Sequence, residues 1–370
     1  MLVAVAPNVS AATKKHTKAA KHGRVTKHHH RRRHAARRRK HRVTKHRAVV
    51  PHTTQSTFSL TLNTEPASTT TGTTTGTPPP SPPTTTSTSP MFGVTIDGVS
   101  GMSTVMSAEA AMPYKATTRV VLDNAAASQF TSAISQLHGH SPVMAEILDS
   151  ATMAGVSNTQ VDSATKSYTS AFGSNVDIWE VGNELNGNWT GSYSTVGQKM
   201  QTMYNDVKAV NPNATTALTL YYNNPSGGPA SNCGDGTSEL TPEQYTQQYV
   251  PPAIANGLDY VLLSYYPTQC GNYEPTSAQV AKDVEALHAL YPNAKIGFGE
   301  LGTPNAATSS SATQANQIMQ WGYSLNPGES YYIGGYFWWY GAQDVFGQSG
   351  CGCMTSDLNT AFNAEHAAIG

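Results

Sequence analysis

Two glutamates stand where apolar runs of strand length give way to loop. Ile178-Trp-Glu-Val-Gly-Asn-Glu-Leu-Asn186 carries Glu184 near its end, and Ile296-Gly-Phe-Gly-Glu-Leu-Gly302 carries Glu300. Two carboxyls flanking one bond are what glycosidic cleavage needs. In retaining enzymes they sit about 5–5.5 Å apart, one protonating the leaving oxygen while the other attacks the anomeric carbon. A carboxylate at a strand end can also be simply solvated or salt-bridged. This part of the chain offers few cations for that.

The formal net charge of zero is a sum of opposites. Residues 1–50 hold 16 of the 23 Lys and Arg, eight of the 13 His, and no Asp or Glu. The remainder therefore has seven cations against all 23 acids, a balance of −16. Like charges at the density of His28-His-His-Arg-Arg-Arg33 repel, and there is little apolar surface to bury, so residues 1–50 are expected to be disordered. Residues 51–90, rich in Thr, Ser and Pro, read as an extended spacer. The folded domain is expected over 91–370. No apolar run approaches the roughly 18–20 residues of a membrane span. The opening Met1-Leu-Val-Ala-Val-Ala is shorter than the apolar region of a signal peptide, so either a leader is missing upstream or export takes another route.

From Met91 on, strand-length apolar runs alternate with amphipathic stretches. Strands are expected at 92–97, 117–122, 142–148, 177–183, 215–221, 260–265, 295–298 and 333–338. Helices are expected near 107–112, 128–137, 160–172, 195–210, 241–254, 277–290, 313–325 and 356–367. Thr241-Pro-Glu-Gln244 places a hydroxyl at the N-cap, proline at the first helical position and glutamine where it closes a capping box; Thr276 and Gln279 repeat the pattern. Val280, Val284 and Leu287 then mark one helical face. Eight such units in about 280 residues fit an α/β fold of the (β/α)8 TIM-barrel type. A doubly wound open sheet is the rival, but no Gly-rich phosphate loop follows the first strand. In a barrel, strands 4 and 7 face each other, so Glu184 and Glu300 can converge over the mouth.

Trp179-Glu-Val-Gly-Asn-Glu-Leu-Asn186 resembles the strand-4 signature of clan A glycoside hydrolases, W-E-V-x-N-E-P-N, with Leu185 where proline is common. The resemblance implies Glu184 as acid/base, Glu300 as nucleophile, and Asn183 as the residue that hydrogen-bonds the sugar 2-hydroxyl. It implies that Arg119, the sole arginine in 51–370, holds the nucleophile ionised. A core ion pair with Glu180 or Glu146 is the other reading, and both can hold together. Clan members often carry H-x-Y on strand 6. Here Leu263-Ser-Tyr-Tyr-Pro267 puts Tyr266 in the tyrosine's place and Ser264 in the histidine's, with Tyr265 as the fallback. On strand 8, one of Trp338 and Trp339 corresponds to the tryptophan beneath the sugar, and Trp338 is favoured. Asp97, Asp123, Tyr222, Asn223 and Trp189 are weaker sugar-contact candidates.

Cys233 and Cys270 fall in the loops after strands 5 and 6, which are neighbours in a barrel, and are expected to form a disulfide. Cys351-Gly-Cys353 either closes on itself or stays reduced; the cysteine spacing fits no common zinc pattern. The histidines sit at positions suited to solvated or capping roles. The reading thus calls for no cofactor and no metal. It calls for a secreted or envelope-associated monomer acting on a polysaccharide or oligosaccharide. The basic segment would engage an anionic envelope polymer by salt-sensitive attraction rather than a specific nucleic acid, since it has no folded reader and no interleaved aromatics. A catalytically idle barrel that only binds carbohydrate or cell wall is the alternative.

Overall fold

The apolar runs become β1 (Met91–Ile96), β2 (Thr117–Val121), β3 (Val143–Glu146), β4 (Ile178–Glu180), β5 (Thr216–Tyr221), β6 (Tyr260–Tyr265), β7 (Lys295–Leu301) and β8 (Gly334–Trp338). All pair in parallel, each with the next, and β8 returns to β1. This computed structural model describes residues 89–229, 233 and 239–370. The Lys/Arg/His-rich segment and the Thr/Ser/Pro-rich stretch through residue 88 lie outside the described residues.

Between the strands run α1 (Met102–Ala110), α2 (Thr131–His138), α3 (Ser150–Met153), α4 (Asn158–Phe172), α5 (Tyr193–Val210), α6 (Pro242–Tyr249), α7 (Pro252–Ala255), α8 (Ser277–Leu290) and α9 (Ala312–Tyr323), and α10 (Thr355–Ile369) follows β8. The capping box at α6 forms in full: Gln244 N–H donates to Thr241 Oγ1 at 3.2 Å, and Thr241 N–H to Gln244 Oε1 at 3.0 Å. The single helix expected over 241–254 is two, α6 and α7. Pro251 and Pro252 lack the amide hydrogens that would continue α6, and proline suits a helix start instead.

Side chains sort by strand parity. Met144, Ile178, Ala217, Leu262, Ile333 and Phe337 fill the barrel axis, whereas Val94, Val120, Leu218, Phe298 and their alternates pack outward against the helices. The axial plug closes the lower barrel. Polar and charged residues occupy the layer above it, at the C-terminal strand ends.

Candidate active site

Strand β4 stops at Glu180, three residues earlier than the sequence pattern suggests. The chain then turns, and Glu184 takes a φ of 47°, in the left-handed region that residues with a Cβ avoid. The turn seats its carboxyl between two serines. Ser264 Oγ donates to Oε1 at 2.6 Å and Ser150 Oγ to Oε2 at 2.7 Å. Burial raises the Glu184 pKa; the serine bonds oppose that, and the nearby Asp149 charge adds to it.

A bulge aims Glu300. Strand β6 pairs Leu263 with Phe298 but Ser264 with Glu300, so Gly299 is the extra residue. A Cβ there would lie 2.7 Å from Thr219 Oγ1 and 2.9 Å from Leu262 Cβ, too close for any larger residue. The inserted residue brings Glu300 over the mouth. Its Oε2 accepts from Tyr266 Oη at 2.7 Å and lies 3.3 Å from Ser264 Oγ. Its Oε1 is 3.0 Å from Arg119 Nη1. Burial pushes its pKa up to about 8, with Arg119 opposing and the Glu184 charge adding.

Ser264 Oγ thus touches both carboxyls, and the two contacts laid end to end limit the nearest oxygens to about 6 Å apart. That is close enough for the two carboxyls to flank a single bond. With both groups raised by burial, a proton held by either belongs to the pair. The contacts say where it rests. Glu300 faces a guanidinium, whereas Glu184 meets only neutral hydroxyls, so Glu184 is the better-placed acid.

Arg119 is fully buried and surrounded by acids. Nε and Nη2 form a fork with Glu180 at 2.6 and 2.9 Å, Nη2 also lies 3.1 Å from Glu146, and Nη1 reaches Glu300. Glu180 accepts in addition from Thr219 Oγ1 at 2.5 Å. Both readings of this arginine therefore coexist: it is a core ion pair that extends to Glu300. One cation cannot neutralise three buried carboxylates. Accordingly burial, with Glu180, Asp149 and Glu300 adding to it, holds the Glu146 pKa well above the usual range despite Arg119.

A cavity of about 650 Å³ opens over the pair. Trp339, Trp189, Tyr266 and Tyr340 line it. Here the choice of Trp338 is corrected. Phe337 fills the barrel axis, so alternation turns Trp338 outward into the helix layer, where it is fully buried and Nε1–H donates to Asp344 at 2.9 Å. Trp339 faces the mouth instead, 5.5 Å beneath the Arg119 guanidinium carbon. The fallback Tyr265 likewise points outward, donating to the Tyr273 carbonyl at 2.6 Å.

Asn183 is buried beside Glu184, and among the described residues its Oδ1 has no hydrogen-bond partner. It does not line the cavity as shaped here. Of the weaker candidates only Trp189 is at the cavity, 37 % exposed and edge-on to Tyr221 at 5.1 Å. The others are elsewhere. Asp97 accepts both bonds from Gln343 at 2.9 Å, Asp123 is held by Thr152, Tyr222 donates to Asp283, and Asn223 donates to the Leu240 carbonyl at 3.0 Å. Sequence reasoning passed over Asp149 and Ser150, although both directly follow the third expected strand, where barrel enzymes place functional groups.

Cys233 and Cys270 are joined, their Cα atoms 4.5 Å apart, and so tie the loops after β5 and β6 beside the cavity. Cys351 and Cys353 also close on each other. Among the described residues no cluster of His, Cys, Asp and Glu is arranged to hold a metal ion. Nor is any described helix long and apolar enough to cross a membrane.

No family model and no curated protein sequence matches the chain. Among solved structures, it is similar to a GH5-4 broad specificity endoglucanase from Bacteroides salanitronis at 11% identity, covering 75% of this chain and 93% of that one, with a TM-score of 0.49. A mannotriose complex of a Thermomonospora fusca β-mannanase is similar at 16% identity, covering 76% and 92%, again with a TM-score of 0.49. A GH53 catalytic domain from Ignisphaera aggregans follows at 13% identity, covering 68% and 85%, with a TM-score of 0.43. The barrel itself is read from this chain's own strand pairing.

Proposed function

We propose that residues 91–370 form a retaining glycoside hydrolase acting on O-glycosidic bonds of a β-linked glycan or glycoside. The observation that carries this is the carboxyl pair bridged by Ser264, one member facing a guanidinium and the other facing neutral hydroxyls, at the base of an aromatic-lined cavity. Glu300, ionised beside Arg119, attacks the anomeric carbon. Glu184 gives its proton to the departing oxygen, then takes one from water as that water cleaves the ester. Arg119 and Tyr266 keep the nucleophile's oxygens fixed, and Trp339 provides a ring face for the sugar bound over it. Asn183 Oδ1, which has no hydrogen-bond partner among the described residues, is suited to accept from a sugar hydroxyl.

The same reading assigns 1–50 and 51–90 to a basic arm and a spacer on an exported enzyme that acts as a monomer. The arm would hold the enzyme on an anionic polymer.

Incubation with a panel of β-glucans, mannans, xylans and aryl β-glycosides tests the proposal. Turnover by the wild type and none by Glu300→Gln is the expected result. Binding without turnover on every member would favour the idle-barrel alternative.

A further inference from the structure

Ser264 has one hydroxyl hydrogen and two carboxyls to serve. It is fully buried, and the β6–β7 register sets it opposite Glu300 at the bulge. Among the described residues it alone hydrogen-bonds both acids, Glu184 Oε1 at 2.6 Å and Glu300 Oε2 at 3.3 Å. The other partners are not shared: Tyr266 serves Glu300, and Ser150 serves Glu184. A single O–H cannot donate to both acids at once. It donates to whichever is ionised, because a bond to a carboxylate is about twice as strong as one to a neutral acceptor.

We propose that Ser264 is a positioning residue whose hydroxyl turns to follow the negative charge between the two glutamates during the reaction. The inference rests on the two-glutamate reading above. On this proposal Arg119 draws the charge onto Glu300 in the free enzyme and the hydrogen points there, although the serine oxygen lies nearer Glu184, at 2.6 Å against 3.3 Å. When Glu300 bonds to the anomeric carbon and the glycosidic bond breaks, the Glu184 proton leaves with the departing oxygen. Glu300 is now an uncharged ester, Glu184 is ionised, and the hydrogen turns to Glu184. Water then adds its oxygen to the anomeric carbon and its proton to Glu184. The ester bond breaks, Glu300 regains its charge, and the hydroxyl turns back. Serine gains and loses no proton.

The two states do not need the serine equally. Glu300 retains Arg119 and Tyr266 whether or not Ser264 is present. Glu184, once ionised, has Ser150 and Ser264 as its side-chain donors and, among the described residues, no cation in contact. The charged and titratable groups facing the pair are Arg119 from β2, Glu146 from β3, Asp149 ahead of α3, Glu180 from β4 and Tyr266 after β6, with Glu239 on the same cavity wall. A serine variant leaves all of them in place.

The test compares pH profiles of wild type and Ser264→Ala on the aryl β-glycoside turned over best. A dinitrophenyl leaving group is used so that kcat reports hydrolysis of the glycosyl-enzyme. The acidic limb of kcat should move up by about one pH unit, because ionised Glu184 has lost a donor, while that of kcat/KM moves less. Ser264→Thr, which keeps the hydroxyl, should retain the wild-type limb. A profile lowered evenly at all pH values, or superimposed on wild type, overturns the proposal. If Ser264→Ala does not fold, a displaced limb in Ser264→Thr overturns it instead. Absence of wild-type turnover would sink the two-glutamate reading itself, a result distinct from an unmoved limb.

Discussion

Arg119 Nη1 lies 3.0 Å from Glu300 Oε1, while the same guanidinium forks onto Glu180 at 2.6 and 2.9 Å. The contact to Glu300 is therefore the free end of a fixed core ion pair. A group held from below by Glu180 and Glu146 cannot swing away from Glu300, so the position of the positive charge is set by the barrel and not by a loop.

Removing this cation should damage fold and activity together. Arg119→Met leaves three buried carboxyls without a counter-ion, at a cost of about 3–5 kcal/mol, read as a Tm lower by roughly 10 °C. Arg119→Lys keeps the charge but cannot fork to Glu180 while reaching Glu300. It should retain more stability than the methionine variant, with kcat/KM down between about tenfold and a hundredfold. Thermal unfolding and steady-state kinetics on the two variants check both statements.

The two adjacent tryptophans should separate cleanly. Trp339→Ala removes a cavity-lining ring, so KM should rise on the order of tenfold with little change in Tm. Trp338→Ala empties a fully buried site and should cost about 3–5 kcal/mol of stability. The reverse pattern would mean the parity of β8 is misread.

Much of this was legible in sequence because it follows from period and punctuation. The bounds of β6 and α8 coincide with the apolar runs, since Thr276 caps α8 and its Val280, Val284 and Leu287 face the barrel. Glu184, Glu300 and Arg119 stood out as acids and a lone cation among apolar residues. The choice between Trp338 and Trp339 was not legible. It depends on strand parity through an irregular β8, in which Gly334, Gly335 and Tyr336 all have positive φ. The hydroxyl donors were less legible for another reason: Ser264 stood out only as the residue in the histidine's place on strand 6, and in a chain rich in serine Ser150 carries no distinguishing pattern. Only the turn at Glu184 and the bulge at Gly299 bring them to the acids.

The pH dependence follows from burial. Glu184 and Glu300 are both raised, Glu300 to about 8, and the active pair carries one proton. Activity should be lost at alkaline pH as that proton leaves. A second proton, which neutralises Glu300, should end activity at low pH. Initial rates across the pH range check this, and activity persisting unchanged above pH 10 would contradict a shared proton.

Away from the site, Glu365 makes a stability prediction. It is buried, Oε1 accepts from Gly335 N–H at 2.9 Å, and among the described residues Oε2 has no partner. Burial raises its pKa well above 4.5. The folded protein thus keeps a proton that the unfolded chain releases, so this group's contribution declines as pH rises from about 4.5, by about 1.4 kcal/mol per unit until the folded group ionises. Glu365→Gln removes that dependence. Its Tm should exceed wild type by several degrees, on the order of 2–4 °C or more, at pH 8, and by little at pH 4.

The central claim is that Glu300 forms a bond to the sugar. A 2-deoxy-2-fluoro glycoside with an activated leaving group, of the sugar the enzyme turns over, slows hydrolysis of that bond enough for intact-mass and peptide mapping. One fluoro-sugar per chain, attached to the peptide at Glu300 and absent from Glu300→Gln, is the predicted result. An adduct on another residue, or none while the parent glycoside is hydrolysed, would contradict it.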